Sequence, residues 1–150
     1  MDVISAGEMF RAIAEEKSLQ LGEFNKLAEN SDDFDRWIDE KQGEEAMKME
    51  NVIVEGRLSG FFVPHADLKV WLKAPLEIRA QRVAGREHIA YEEALSAMKS
   101  REQSEYKRYE QYYGIHLDDL TIYDLVIDSL RWRENDVVEM ILVAIEGMKG

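Results

Sequence analysis

The run Val52-Ile53-Val54, cut off abruptly by Glu55-Gly56-Arg57, constrains the fold more than any other stretch of the chain. Three β-branched residues in succession suit a strand buried on both faces of a parallel sheet. Similar runs stand at Leu68-Lys69-Val70-Trp71-Leu72 and Leu125-Val126-Ile127-Asp128, and Val3-Ile4 opens the chain as a strand fragment. Between these runs the pattern is helical. Ser5-Ala6-Gly7 reads as a turn into a helix from Glu8 to about Lys17, with Met9, Phe10 and Ile13 turned inward. Gly22 precedes a second helix through Phe24 and Leu27. Ser31-Asp32-Asp33 then caps a longer one, with Phe34, Trp37 and Ile38 at helical spacing, that runs through Met47 and Met49.

Ala74-Pro75 starts a further helix with Ile78 and Val83 on its buried side. Residues 89–113 form a long charged helical stretch carrying Ala94, Leu95, Met98 and five tyrosines, and Gly114 stops it. The last helix, Glu134 to Met148, is amphipathic through Val137, Val138, Ile141, Leu142 and Ile145. Strands alternating with helices predict an α/β fold, a parallel sheet with helices on both faces.

A chain of 150 residues fits one domain with a sizeable core. Within it, residues 18–50, three helical pieces between the first two strands, are predicted to form a helical subdomain, and 87–113 a short helical lid. No apolar run is long enough to span a membrane, and no basic region followed by an apolar stretch marks a signal peptide. Zero cysteines exclude disulfides and thiolate metal sites, in keeping with a reducing cytoplasm. A net charge of −12 argues against global attraction to nucleic acid. An acidic protein that binds an anion must therefore cluster its arginines locally.

The arginines are placed for that. In open α/β sheets ligands sit at the carboxyl ends of strands, where Glu55 and Arg57 put one acid and one base. Gly56 and Gly60 beside them allow close approach of backbone and ligand. Arg11 lies in the first turns of its helix, near an N-terminus able to hold an anion. Arg82 and Arg86 share one helix face at i, i+4, while Arg101 and Arg108 share another, with Glu105 between them. Planar guanidinium groups bind phosphate through two hydrogen bonds at once. Taken singly, each helix arginine is adequately explained as a solvated ion pair, with Glu102 and Glu105 as partners for Arg101 and Arg108. Taken as a set converging on one sheet edge, they point to phosphate binding. His65, His88 and His116 have no metal-ligand spacing and read as loop or surface residues. Tyr106, Tyr109, Tyr112 and Tyr113, with Trp37, Trp71 and Trp132, read as packing.

These stretches resemble the archaeal-type cytidylate kinases, a branch of the nucleoside monophosphate kinases. Ile-Ser-Ala-Gly-Glu-Met-Phe-Arg at 4–11 is similar to the family's I-S-x-G-D-x-x-R segment, and Val-Glu-Gly-Arg-Leu-Ser-Gly at 54–60 to its post-strand motif. Gln-Arg-Val-Ala-Gly-Arg-Glu at 81–87 resembles the helix end leading into the lid, and Arg101, Glu105 and Arg108 the lid pattern R-x-x-x-[DE]-x-x-R. Tyr123 to Ser129 looks like the last strand. The resemblance implies transfer of the ATP γ-phosphoryl group to CMP or dCMP with Mg²⁺. It implies that Gly7, Arg11, Arg57 and Gly60 hold the acceptor phosphate side and that Glu105 meets the cytosine. Arg86, Arg101 and Arg108 would stabilise the transferring group, Arg82 would lie by the donor base, and Glu55 would hold a metal-bound water. A non-catalytic nucleotide-binding or interaction module, or a kinase of another small acceptor, would share the same arginines.

One departure stands out. The family opens with a strand and G-x-x-G-x-G-K-[ST], whose amides and lysine cradle the donor phosphates. Here no glycine is followed by lysine. Residue 1 aligns near the family's second strand, so the phosphate loop and the first, central strand are expected to be missing and the chain inactive as it stands. In the family's strand order, 2-3-1-4-5, the gap falls between 51–55 and 68–72 and measures roughly 10 Å. Direct closure of those two strands, or filling by a second copy in a homodimer, is the expected remedy.

Overall fold

Strand β1, Asp2–Ser5, runs without a turn into helix α1, Ala6–Glu16. The turn expected at Ser5-Ala6-Gly7 is replaced by an N-cap: the Glu8 amide donates to Ser5 Oγ at 3.3 Å, satisfying a donor that the first helical turn leaves open. The structure, a computed structural model, describes residues 1–16, 23 and 33–148. The predicted helix through Phe24 and Leu27, the cap at Ser31-Asp32 and the side chains of Ile13 and Phe34 lie outside the described residues. Then follow α2 (Asp33–Ala46), β2 (Val52–Glu55), the short α3 (Ser59–Phe62) and β3 (Val70–Lys73). The chain continues through α4 (Leu76–Glu87), α5 (Tyr91–Tyr113), β4 (Leu125–Asp128) and α6 (Glu134–Met148). None of these helices is long and apolar enough to cross a membrane.

The strands form two parallel pairs. β1 pairs with β2 in the register Val3–Ile53 and Ile4–Val54, and β3 pairs with β4 in the register Trp71–Val126 and Leu72–Ile127. β2 and β3 belong to different sheets, so the direct closure expected between 51–55 and 68–72 is not formed. Each strand keeps the parallel partner that its own crossover supplies. The chain divides into two compact units, one of Met1–Ala66 with Lys99–Asp119, the other of Asp67–Met98 with Leu120–Gly150.

In the first unit α2 packs on α1, β1, β2 and α3. Its inward stripe is Ile38, Gln42 and Ala46 at four-residue spacing, all buried. Leu58, Tyr109 and Leu117 form a core cluster lined by Phe61, Phe62, Tyr113 and Ile115. Burial on both faces, expected of the strand at 52–54, is not seen. Ile4 is buried and its register partner Val54 half-buried, whereas Val3 and Ile53 on the opposite face are 64% and 49% exposed. Trp37, one residue off the buried stripe, is exposed as well.

In the second unit Ala80, Ala94, Ile127 and Val137 are buried, and Trp71 packs on Tyr123 with ring centroids 5.2 Å apart. Pro75 occupies the N-cap position of α4, one place before the first helical turn predicted for it. On α6 the covered stripe is Val137, Ile141 and Ile145, while Val138 and Leu142, and Trp132 just before the helix, are exposed. Gly114 ends α5 in the left-handed conformation, φ +64°, and its amide donates to the Glu110 carbonyl at 2.9 Å.

Candidate active site

β2 ends in Glu55, and two helices fix the turn that follows. Gln42 of α2, only 1% exposed, donates from Nε2 to the Glu55 carbonyl at 3.0 Å. A Cβ on Gly56 would stand 2.9 Å from Ala6 Cβ of α1 and 3.4 Å from Gln42 Oε1. The glycine therefore serves the approach of α1 and α2, where the sequence reading had a ligand coming close. Gly60 is buried within α3. The side chain of Glu55 accepts a hydrogen bond from Ser5 Oγ.

The same turn delivers Arg57 to α5. Its Nη2 donates to Glu102 Oε1 at 3.3 Å, and its Nε lies 3.4 Å from Glu105 Oε2. Burial pulls the Arg57 pKa down, but Glu105 and Glu102 outweigh it and hold the guanidinium above its ordinary value. Arg101 approaches Glu105 from the other side, with Nε donating to Oε1 at 2.9 Å. Glu105 is thus 4% exposed between two arginines. Its Oε2 is buried and, although within ion-pair distance of Arg57, receives no hydrogen bond. Glu102, assigned to Arg101 or Arg108 by sequence proximity, pairs with Arg57.

Arg108 is 2% exposed. Its Nη1 donates to Ser104 Oγ one helical turn earlier, and its guanidinium carbon lies 5.5 Å from the Phe10 ring centre and 5.7 Å from that of Tyr109. Arg11, exposed on α1, folds its guanidinium back over Gly7, with Nη1 3.4 Å from where a Cβ would stand. The small residue keeps that space open at the helix's first turn.

Arg82 and Arg86 belong to the second unit. Arg82 is committed to the end of β4, with Nη1 donating to Ser129 Oγ at 2.9 Å and Nη2 to the Ser129 carbonyl at 3.0 Å. Arg86 is exposed and paired with Glu87 at 3.3 Å. His65, His88 and His116 are exposed, and His88 adopts the left-handed conformation that ends α4.

Among the described residues no cluster of three His, Asp or Glu side chains is arranged to hold a metal ion. Mg²⁺ of the phosphate-bound kind keeps several waters and takes one or two carboxylates, so the lack of such a cluster does not conflict with it. Sequence reasoning missed Gln42, Ser104 and the bond from Tyr113 to Asp39 at 2.7 Å. For Gln42 the signal existed, since a polar residue sits on the apolar stripe of Ile38 and Ala46.

The model of the cytidylate kinase-like family matches residues 1–131. The cytidylate kinase of Methanocella arvoryzae is 46% identical over 147 residues, 98% of this chain and 83% of that protein. That of Pyrococcus abyssi is 46% identical over 143 residues, 95% of this chain and 78% of the relative. That of Halobacterium salinarum is 41% identical over 144 residues, covering 95% and 75%.

Proposed function

The chain belongs to the cytidylate kinase-like family, and from that premise we propose that it handles the acceptor in phosphoryl transfer from ATP to CMP or dCMP. The observation that carries this reading is Glu105 Oε2, a buried carboxylate oxygen without a hydrogen-bond donor, flanked by Arg57 and Arg101. Such an oxygen is costly unless a ligand supplies the donor. The cytosine amino group is a donor of that kind, whereas uracil offers a carbonyl at the same position.

In this reading Arg57 and Arg11 bind the acceptor phosphate, and Gly7 and Gly60 shape the backbone around it. Arg101, Arg108 and Arg86 spread charge away from the transferring group. Arg82 lies by the donor base. Glu55 would hold a water of the Mg²⁺ that accompanies ATP, and that ion would supply charge neutralisation for the phosphate oxygens. No general base is required, because the attacking phosphate oxygen is already anionic. The setting is the cytoplasm.

Calorimetric titration with CMP, UMP and AMP tests the assignment. CMP is expected to bind at least tenfold tighter than UMP, and equal affinities would overturn it. A second reading, a module that binds CMP without turning it over, would use the same acceptor-side arginines. ATP-dependent CDP formation separates the two.

A further inference from the structure

Arg57 presents a phosphate-binding edge that is already occupied. A guanidinium offers Nε and Nη2 as a parallel pair of donors, the geometry suited to two oxygens of one anion. Here Nη2 is given to Glu102 and Nε faces Glu105, two separate carboxylates three residues apart on α5. The Glu102 side chain is 17% exposed and that of Arg57 30%, so water screens the pair only partly. Glu105 is also anchored by Arg101 at 2.9 Å, so it keeps a partner when Arg57 turns to another anion.

We propose that Glu102 sets the phosphate affinity of this site: it is a resident counter-ion that occupies Arg57 until a phosphate displaces it. The inference rests on the acceptor-site reading above and deepens it. An anion reaching this edge must compete with a tethered carboxylate and withstand its negative charge. Inorganic phosphate has only its own charge to offer in that competition. A cytidine monophosphate brings in addition an amino donor for Glu105, on the neighbouring turn of the same helix. Glu102 therefore weakens every phosphate alike, and a nucleotide that also satisfies Glu105 still binds at concentrations where phosphate alone does not.

Removing one negative charge several ångströms from a bound phosphate at intermediate dielectric is worth roughly a three- to thirtyfold gain in affinity. The test is calorimetric titration of the full chain with inorganic phosphate and, separately, with CMP, for the native sequence, Glu102→Gln, Arg57→Ala and the double variant. Glu102→Gln is expected to bind inorganic phosphate and CMP more tightly, each by about that factor, and to lose the gain when Arg57 is also removed. Unchanged or weaker phosphate binding by Glu102→Gln would show that the glutamate orients Arg57 without competing for it, and would overturn the proposal. A gain that survives Arg57→Ala would overturn it as well. Should Glu102→Gln not fold, Glu102→Asp, which draws the carboxylate back by one methylene, must shift phosphate affinity in the same direction. If the native chain binds CMP no better than phosphate, the acceptor reading fails, while the phosphate titrations still decide the role of Glu102.

Discussion

Arg57 Nε stands 3.4 Å from Glu105 Oε2, close enough for charge attraction yet without the geometry of a hydrogen bond. The two residues meet because Gly56 turns the chain off β2 directly under α1 and α2, and because α5 carries Glu105 on its buried side. In the function proposed above, Arg57 is the phosphate ligand and Glu105 the base-reading carboxylate, and mutation of each separates the two roles.

Arg57→Ala should weaken CMP, UMP and AMP about equally, because phosphate carries no base identity. Loss of charge-assisted hydrogen bonds predicts about 1.5–3 kcal/mol, measured by calorimetry. Glu105→Gln should instead erode the preference for CMP over UMP while leaving the weaker ligands nearly unchanged. Parallel losses across all three bases for both variants would remove the basis for assigning Glu105 to the cytosine.

Gln42→Leu should destabilise the first unit by about 1–3 kcal/mol in urea unfolding, since the Glu55 carbonyl loses its buried donor. The isosteric Gln42→Glu serves as comparison. If Gln42→Leu unfolds at the native urea midpoint, the bond to the strand end contributes nothing to stability.

Gly56→Ala and Gly85→Ala should move stability in opposite directions. At Gly56 a Cβ would meet Ala6 Cβ at 2.9 Å, and overpacking of that kind costs about 1–3 kcal/mol. At Gly85, inside α4, a Cβ meets nothing within 4 Å, so alanine's better helix propensity should add about 0.5–1 kcal/mol. Thermal melts of both variants check the pair of signs.

Burial, followed by its hydrogen bond to Asp118 at 3.0 Å, raises the Tyr106 pKa above that of an ordinary tyrosine. A folded-state pKa above the unfolded one means that the neutral phenol is favoured in the fold. This contribution is fully present below about pH 10, the ordinary tyrosine value, and fades as pH rises through the folded pKa. Asp118→Asn should bring the Tyr106 titration back toward lower pH in an alkaline absorbance titration. An unmoved titration curve would mean that Asp118 is not the partner in solution.

The 150-residue chain by itself should form CDP from ATP and CMP at least about a thousandfold more slowly than the same chain joined to a strand and G-x-x-G-x-G-K-[ST] loop. The amide cradle and lysine of such a loop supply much of the stabilisation of the transferring group. Comparable turnover from the two would mean that the donor phosphates are held by other residues.

Much of this protein could be read from residues close together in the chain. Alternation of β-branched runs with helical periodicity was enough for the α/β class. The stop at Gly114, the long α5 and the span of α6 followed from turn chemistry and spacing. These signals are legible because propensity, capping and amphipathic period act over a few residues. What the sequence left open was settled by contacts between distant segments. Arg57 pairs with Glu102, 45 residues away, and not with an acid in its own motif. Gln42 interrupts the apolar stripe of Ile38 and Ala46, but its partner is defined only once α2 lies against β2 and the Glu55 carbonyl needs a donor. From sequence Arg108 reads either as a solvated ion pair or as a phosphate ligand, and only the packing shows that it is buried against Ser104 and the Phe10 ring. Val3, Ile53, Val138 and Leu142 carry the same apolar character as their covered neighbours, and only the packing of each unit separates the buried from the exposed. Hydrophobicity marks which side chains favour burial. The geometry of packed elements decides which are buried and which charges must find partners there.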